Sequence, residues 1–292
     1  MRPGDSIPVV LFTYARPQLL RLALASLREN QVGRLEVFAD GAKGPADAAE
    51  VAATREEIRR IDWVEARLTE RATNLGLGRN VLSGLAEIAA REPAFIVWED
   101  DLVAVPGTYR WMCSALRAYA DDPRVMSVTG WTHPRVTPPG IGDQPYFDGR
   151  AECWVWGSWP RAWTGMDESA AEKLAAWRRR GGDPGAYGDD LPAMAREEGA
   201  RNIWAVRWLY HHLVHGGLCL RPPWSMVEHR GFEDATNAAM ATKWENPALQ
   251  PAPPVPARWP EPVEHPGCRS CWKQFARRDW RARWRRWWRR WR

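Results

Sequence analysis

The sequence predicts an α/β protein with a central, mostly parallel sheet flanked by helices, and three observations carry that expectation. Short apolar runs rich in β-branched residues alternate with stretches whose apolar residues recur at helical spacing, the pattern of consecutive βα units. Two of these runs end in acids, at Asp40 and at Glu99-Asp100-Asp101, and such sheets take ligands outside the carboxyl ends of their strands. The 292-residue chain is 45% hydrophobic and 26% charged, a globular balance with enough length for a substantial core.

In chain order, Ile7 to Thr13 reads as the first strand and Tyr14-Ala15-Arg16-Pro17 as a turn. Leu19, Leu20, Leu22, Ala23, Leu24 and Leu27 then mark the buried face of a helix. Arg34 to Ala39 repeats the strand signal and ends in Asp40-Gly41, where glycine permits a tight turn. Ala46 to Arg60 is a polar helix. Asn74-Leu75-Gly76-Leu77-Gly78 is a loop leading into a helix from about Arg79 to Arg91, and Phe95-Ile96-Val97-Trp98 is a strand delivering the acidic triplet. Pro106 to Tyr119 reads as a helix and Val125 to Thr129 as a strand, followed by a Gly- and Pro-rich loop from Trp131 to Arg150. The helix that begins at Trp204-Ala205-Val206-Arg207-Trp208 is expected to stop near Gly216-Gly217. The resulting organisation is an α/β domain over 1–245, a proline-rich extended linker over 246–266 and a basic tail over 267–292.

Charge is distributed unevenly. Residues 277–292 hold nine Arg against one Asp, a local +8, and removing it from the overall +5 leaves −3 on the rest. A mildly acidic body gives no electrostatic footprint for nucleic acid. No stretch has the ~18 apolar residues of a membrane span, and no secretory signal is evident, so a cytoplasmic location is expected. Cys113, Cys153, Cys219, Cys268 and Cys271 are odd in number and mostly scattered, which suits reduced thiols better than a disulfide framework. A zinc site on Cys268-x-x-Cys271 would need two further ligands, for which His265 and His229 are the candidates.

A diphosphate leaving group needs a divalent cation to offset its charge, and Mg²⁺ or Mn²⁺ takes hard oxygen ligands of the kind a strand-end acidic triplet offers. Here the sequence becomes specific. The segment Val97 to Gly107, Val-Trp-Glu-Asp-Asp-Leu-Val-Ala-Val-Pro-Gly, resembles a segment of GT-A-type glycosyltransferases, among them the N-acetylglucosaminyltransferase that opens complex N-glycans. Pro8 to Pro17 is similar to the opening strand of that group and of family-two glycosyltransferases, and Asn74 to Asn80 to their Asn-x-Gly loop. The resemblance covers roughly Ile7 to Asn237. It implies a GT-A-type fold, and hexosyl or N-acetylhexosaminyl transfer from a nucleotide sugar with Mn²⁺ or Mg²⁺. Carried over by position, it implies that Asp101 ligates the metal while Asp100 and Glu99 contact donor sugar and ribose, with Asn74 in the donor loop. It further implies that Asp40 and Arg16 read a uracil, hence a UDP-linked donor; a carboxylate can accept the imide N–H and a guanidinium can stack on the base.

The second half matches less closely. Glu152 to Trp163 resembles a Trp-Gly-x-x-Trp segment beside the donor sugar, which implies donor contacts for Trp156 and Gly157; an aromatic core is the competing reading. Relatives usually carry Asp where this chain has Asn202, and an amide cannot deprotonate an acceptor hydroxyl. Asp189, Asp190 and Glu198 could substitute, with Asp190 the choice made here. Ser225 to Phe232 looks like the family's closing strand, in which His229 is a candidate for holding metal or phosphate. The acceptor is an unidentified glycan or lipid-linked glycan. In the tail, Trp280, Trp284, Trp287, Trp288 and Trp291 share one helical face with Arg mostly outside it, the pattern of an interfacial helix on an anionic membrane surface. Such a tail would hold the enzyme peripherally on the cytoplasmic membrane face. A tail extended by drift in a GC-rich gene is the bland alternative. A sugar nucleotidyltransferase is disfavoured because Thr13-Tyr14-Ala15-Arg16-Pro17 lacks a Gly-rich loop. A catalytically impaired sugar-nucleotide-binding protein recruited to the membrane is the runner-up.

Overall fold

The computed structural model describes residues 6–183, 185–201, 203–231 and 246–276; Asn202 and the Trp/Arg stripe after residue 276 lie outside these described residues. The first half is a run of βα units: β1 (Val9–Thr13), α1 (Pro17–Glu29), β2 (Arg34–Ala39), α2 (Ala48–Arg59), β3 (Glu65–Glu70), α3 (Leu77–Ala89) and β4 (Phe95–Glu99). After it come β5 (Leu102–Ala104), α4 (Thr108–Ala118), β6 (Val125–Thr129), β7 (Tyr146–Asp148) and β8 (Trp156–Ser158). Helices α5 (Pro160–Trp163), α6 (Ala170–Arg179), α7 (Leu191–Arg201) and α8 (Trp204–His215) precede β9 (Leu218–Arg221) and β10 (Val227–His229).

Eight strands form one sheet in the order β3-β2-β1-β4-β8-β6-β9-β7. Strands β8 and β7 run against the others, so the sheet is mostly parallel. The apolar runs that mark β1 and β4 are buried on both faces, as a helix-covered sheet requires. Alternate residues of β1 serve different layers. Val9 and Leu11 join Leu20, Leu24 and Leu27 of α1, while Val10 and Phe12 pack with Val81, Leu85 and Ile88 of α3. Helix α8 stops where glycine takes over, Gly216 adopting φ 63° as its cap. Strand β3, whose sequence Glu-Ala-Arg-Leu-Thr-Glu carries no strand pattern, lies at the sheet edge and pairs only with β2. A charged edge strand resists pairing with another chain.

Much of the tryptophan is core. Trp156 lies within 4.8 Å of Trp208, 5.7 Å of Trp204 and 6.0 Å of Trp163 between ring centroids, all four buried. The proline-rich stretch is extended, as its composition predicts, yet it is fastened along the body. The Trp224 indole donates to the Pro251 carbonyl at 2.9 Å, the Tyr119 hydroxyl to that of Pro260 at 2.6 Å, and Glu264 bridges to Phe147 of β7. Residues 268–276 are helical and bury Cys268, Trp272 and Phe275, so this first part of the stretch read as a tail belongs to the body. Its Trp272 indole donates to Asp148 at 2.8 Å, and the Arg150 guanidinium stacks 4.0 Å over the ring. The Cys268 and Cys271 thiols face the carbonyls of Phe147 and Thr137. All five cysteines are free thiols. Among the described residues no group of three or more His, Cys, Asp or Glu is arranged to hold a metal, and no helix is long and apolar enough to cross a membrane.

Deleting the Trp272 ring would leave a cavity beside the buried Asp148, with one of its hydrogen-bond donors gone. Trp272→Ala is expected to cost about 3–5 kcal/mol, read as a lowered urea midpoint. An unchanged midpoint would mean that the 268–276 helix is not part of the cooperative unit.

Candidate active site

Strands β1 and β4 are parallel neighbours in a register that pairs Phe12 with Glu99, so the residues just beyond them meet at the carboxyl edge of the sheet. The Thr13 hydroxyl donates to Asp100 Oδ2 at 2.8 Å and the Tyr14 amide to the same oxygen at 3.1 Å. Ala15 takes φ 37°, a left-handed conformation that costs a residue with a Cβ. That bend precedes Arg16 at the mouth of α1, where Pro17 occupies the first turn. The guanidinium of Arg16 then bridges the triplet, donating through Nη2 to Asp100 Oδ1 and through Nη1 to Asp101 Oδ2 at 2.8 Å.

Three acids thus share one close cation. Burial pushes the Glu99 carboxyl well above the usual carboxylate range and Asp101 adds to the push, with Arg16 opposing. Burial likewise raises Asp100 against the pull of Arg16. Burial works against the Arg16 charge, but Asp100 and Asp101 outweigh it and the guanidinium is held ionised. The Glu99 carboxyl makes no hydrogen bond among the described residues, and Asp101 is engaged there through Oδ2 alone.

A second wall comes from the small antiparallel pair β5–β10, which sets His229 opposite Leu102. The Arg230 amide donates to the Asp101 carbonyl at 2.7 Å, and a Cβ on Gly231 would stand 2.8 Å from Asp101 Oδ2. Only glycine lets the backbone come so near that carboxylate. His229 Nε2 lies 3.5 Å from Asp101 Oδ2, while its Nδ1 accepts from the Gly231 amide at 3.0 Å. Burial lowers the His229 pKa despite Asp101; the neutral ring assigned from these bonds carries its proton on Nε2, towards Asp101. The side-chain amide of Asn246 pairs with both backbone groups of His229, at 2.8 Å each. Trp154 lines the same side, its ring 5.1 Å from His229 and 5.0 Å from Trp131.

Arg16, Glu99, Asp100, Asp101 and His229, all singled out from sequence, therefore come together, with Arg16 bonded to the triplet. His229 is a partner of Asp101 in this tautomer, not a ready ligand. The other candidate residues are engaged within the protein. Asp40 is buried and accepts four donors, from the amides of Gly41, Leu75 and Gly76 at 2.9, 2.8 and 2.9 Å and from Asn74 Nδ2 at 3.2 Å. Four donors use the lone-pair sites a carboxylate has, so none remains for a uracil. Asn74 also donates to the Gly41 carbonyl at 2.8 Å and is a brace of the same loop. Trp156 belongs to the aromatic core, and a Cβ on Gly157 would stand 2.8 Å from Leu116 Cδ1 and 3.0 Å from the Phe95 carbonyl. Asp190 is taken by the Arg150 fork at 3.0 and 3.2 Å. Sequence reasoning missed Thr13, Tyr14 and Trp154 as neighbours of the triplet. The signal available was that the first and fourth strands both end in polar residues and pair in parallel.

No protein-family model and no curated protein matches the chain. Among solved structures, it is similar to the mannosyltransferase PcManGT from Pyrobaculum calidifontis, solved in complex with GDP-Man and Mn²⁺. Identity there is 16%, over 65% of this chain and 51% of that one, at a TM-score of 0.40. It is also similar to the 1–349 portion of S. aureus TarS, at 11% identity over 82% and 63% of the chains and a TM-score of 0.46. A longer S. aureus TarS structure gives 13% identity, 56% and 30% coverage and a TM-score of 0.37. The chain thus spans less than two thirds of the length of each.

Replacing the Asp40 carboxylate by an amide would turn an N–H₂ group towards amide donors. Asp40→Asn is expected to cost about 1–3 kcal/mol of stability, while folded protein keeps its affinity for a UDP- or GDP-sugar. Calorimetry beside a denaturation curve checks this: lost affinity at unchanged stability would return Asp40 to the binding site.

Proposed function

We propose that this chain is a GT-A-type glycosyltransferase that moves a sugar from a nucleoside-diphosphate sugar to a hydroxyl acceptor at the Glu99-Asp100-Asp101 edge. The observation that carries the reading is the triplet itself: three desolvated acids at the end of a central parallel strand, with Arg16 the one guanidinium bonded to them among the described residues. Such an edge is where a mostly parallel sheet takes a nucleotide ligand, and its excess negative charge calls for a cation. The donor set fits Mn²⁺ or Mg²⁺, since Asp101 and Glu99 are hard oxygen ligands and these ions need only one or two carboxylates when phosphates and water supply the rest. Bound there, the cation would offset the charge of the departing diphosphate. Asp101 would hold it, His229 would orient Asp101, and Arg16 would keep Asp100 ionised. Thr13 and the Tyr14 amide fix the Asp100 carboxylate that faces them. With Asp40 consumed by its loop, nothing here selects uridine over guanosine.

Asp101→Ala should fold and lose Mn²⁺-dependent nucleotide release from every donor in a UDP- and GDP-sugar panel, whereas His229→Ala should weaken Mn²⁺ less. Wild-type turnover by Asp101→Ala across a Mn²⁺ titration would remove the active site from this edge. Donor binding without turnover by the wild type would favour the runner-up, an impaired sugar-nucleotide-binding protein.

The tail is part of the same proposal. Five Trp at one-face spacing among nine Arg suit the headgroup level of an anionic bilayer, with indoles at the interface and guanidinium groups on phosphates, and would bring the enzyme to lipid-linked or envelope glycans. Co-sedimentation with phosphatidylglycerol vesicles, absent with phosphatidylcholine and lost on truncation after Ala276, is the expected result. Equal pelleting of truncated and full-length protein would rule the anchor out.

A further inference from the structure

A cavity of about 360 Å³ opens between the ends of α6 and α8, with the Trp177 and Tyr187 rings and the charged groups Asp183, Glu264 and Arg269 in its lining. That volume falls within the roughly 300–1,000 Å³ of small-ligand sites. We infer that this cavity binds a sugar residue of a glycan, as a saccharide site separate from the acidic triplet; the choice of a glycan rests on the glycosyltransferase reading.

Topology keeps the two places apart. Strand β8 runs antiparallel to both β4 and β6, and β9 runs parallel to β6, so β9 and β4 point the same way. The cavity takes in Gly217 and Leu218, where β9 begins, whereas the triplet lies where β4 ends. The five residues of β4 alone, at ~3.3 Å each, separate them by roughly 15 Å or more. A ligand here is held and not reacted.

Both aromatic walls are seated on glycine. A Cβ on Gly182 would stand 2.2 Å from Trp177 Cδ1 and Nε1, and one on Gly149 would stand 2.1 Å from the Tyr187 hydroxyl oxygen. The rings therefore lie against bare backbone and are fixed before a ligand arrives. Gly181 and Gly216, also in the lining, take φ 80° and 63°, and a Cβ on either would meet nothing within 4 Å. The Tyr187 phenol is hydrogen-bonded to Glu264, whose carboxylate also accepts from the Arg269 guanidinium at 2.8 Å, and Arg269 stands 5.1 Å over the Tyr187 ring. The Tyr187 carbonyl accepts from Arg150 at 2.7 Å, which ties this wall to the buried body.

The groups left to a ligand define its chemistry. Asp183 is exposed and accepts from the Gly185 amide through Oδ1 at 2.8 Å, while its Oδ2 and the half-buried Trp177 indole N–H make no hydrogen bond among the described residues. Asp183 and Glu264 against Arg269 leave one negative charge in excess, and burial keeps His212, also in the lining, neutral. That balance disfavours a phosphate or a carboxylate-bearing ligand. An aromatic face, an indole donor and a carboxylate acceptor together suit a neutral ring with apolar C–H faces and a rim of hydroxyls, which is a pyranose.

The test uses the full chain and the methyl glycosides of glucose, galactose, mannose and N-acetylglucosamine, titrated by calorimetry. The wild type should bind at least one of them. Trp177→Leu keeps an apolar side chain on α6 but removes the ring, and Asp183→Ala removes the acceptor; each should weaken that Kd by at least about tenfold. Asp101→Ala should bind the glycoside as the wild type does, and both cavity variants should keep Mn²⁺-dependent nucleotide release within about twofold, because neither position touches the triplet. Should Trp177→Leu fail to fold, Asp183→Ala, at an exposed position, decides. Three results overturn the assignment: no glycoside bound by the wild type, an unchanged Kd in Asp183→Ala, or glycoside binding lost in Asp101→Ala, which would put the sugar at the transfer edge. The expected binding pattern in a protein that releases no nucleotide from any UDP- or GDP-sugar would remove the glycosyltransferase reading and leave the saccharide site standing.

Discussion

Three carboxyl groups withdrawn from water at the end of one strand are the constraint around which this molecule is organised. A buried carboxylate without a partner is unfavourable by several kcal/mol, and three stand in a row here with, among the described residues, a single close guanidinium. Bringing Arg16 to Asp100 and Asp101 requires β1 to run beside β4 and the backbone to bend through Ala15 in a left-handed conformation. The remainder is Glu99, whose proton affinity burial raises and Asp101 raises further. A sequence selected for stability alone would not retain that arrangement.

The sequence disclosed the parts of this arrangement that are local. The apolar runs of β1, β2, β4 and β6 and the glycine stop of α8 were legible because burial and capping leave periodic or single-residue marks. The triplet was legible because acids at a strand end are informative in a parallel sheet. What could not be read were facts of long-range pairing. Asp40-Gly41 has the same sequence whether the carboxylate faces a ligand or the amides of Leu75 and Gly76. Trp156-Gly157 reads equally as a sugar platform or as packing against Phe95 and Leu116, and the difference is which side of β8 faces the helices. Strand β3 was invisible because an exposed edge needs no apolar alternation.

Proline content likewise reports extension and not freedom. Residues 246–266 are extended, but Trp259 packs at 5.4 Å on Trp111, and Pro251 and Pro260 accept hydrogen bonds from the body. Proline cannot donate, yet its carbonyl is an acceptor like any other, so an extended proline-rich segment can be fastened by indole and phenol donors along its length. The tryptophans and tyrosines of the body supply them.

This fastening ends in another buried charge cluster. Asp148 accepts from the Trp272 indole at 2.8 Å and faces Arg221 Nε at 2.9 Å. Arg221 in turn reaches Glu152, and Arg150 stacks on Trp272 while gripping Asp190. Within a dry interior each of these ions depends on its neighbours for compensation. Withdrawing Trp272 would therefore disturb Asp148 first, then Arg221, and through Arg221 the carboxyl of Glu152. The helix at 268–276 is thus a structural support of this cluster, although its sequence lies more than a hundred residues from Asp148 and Arg150.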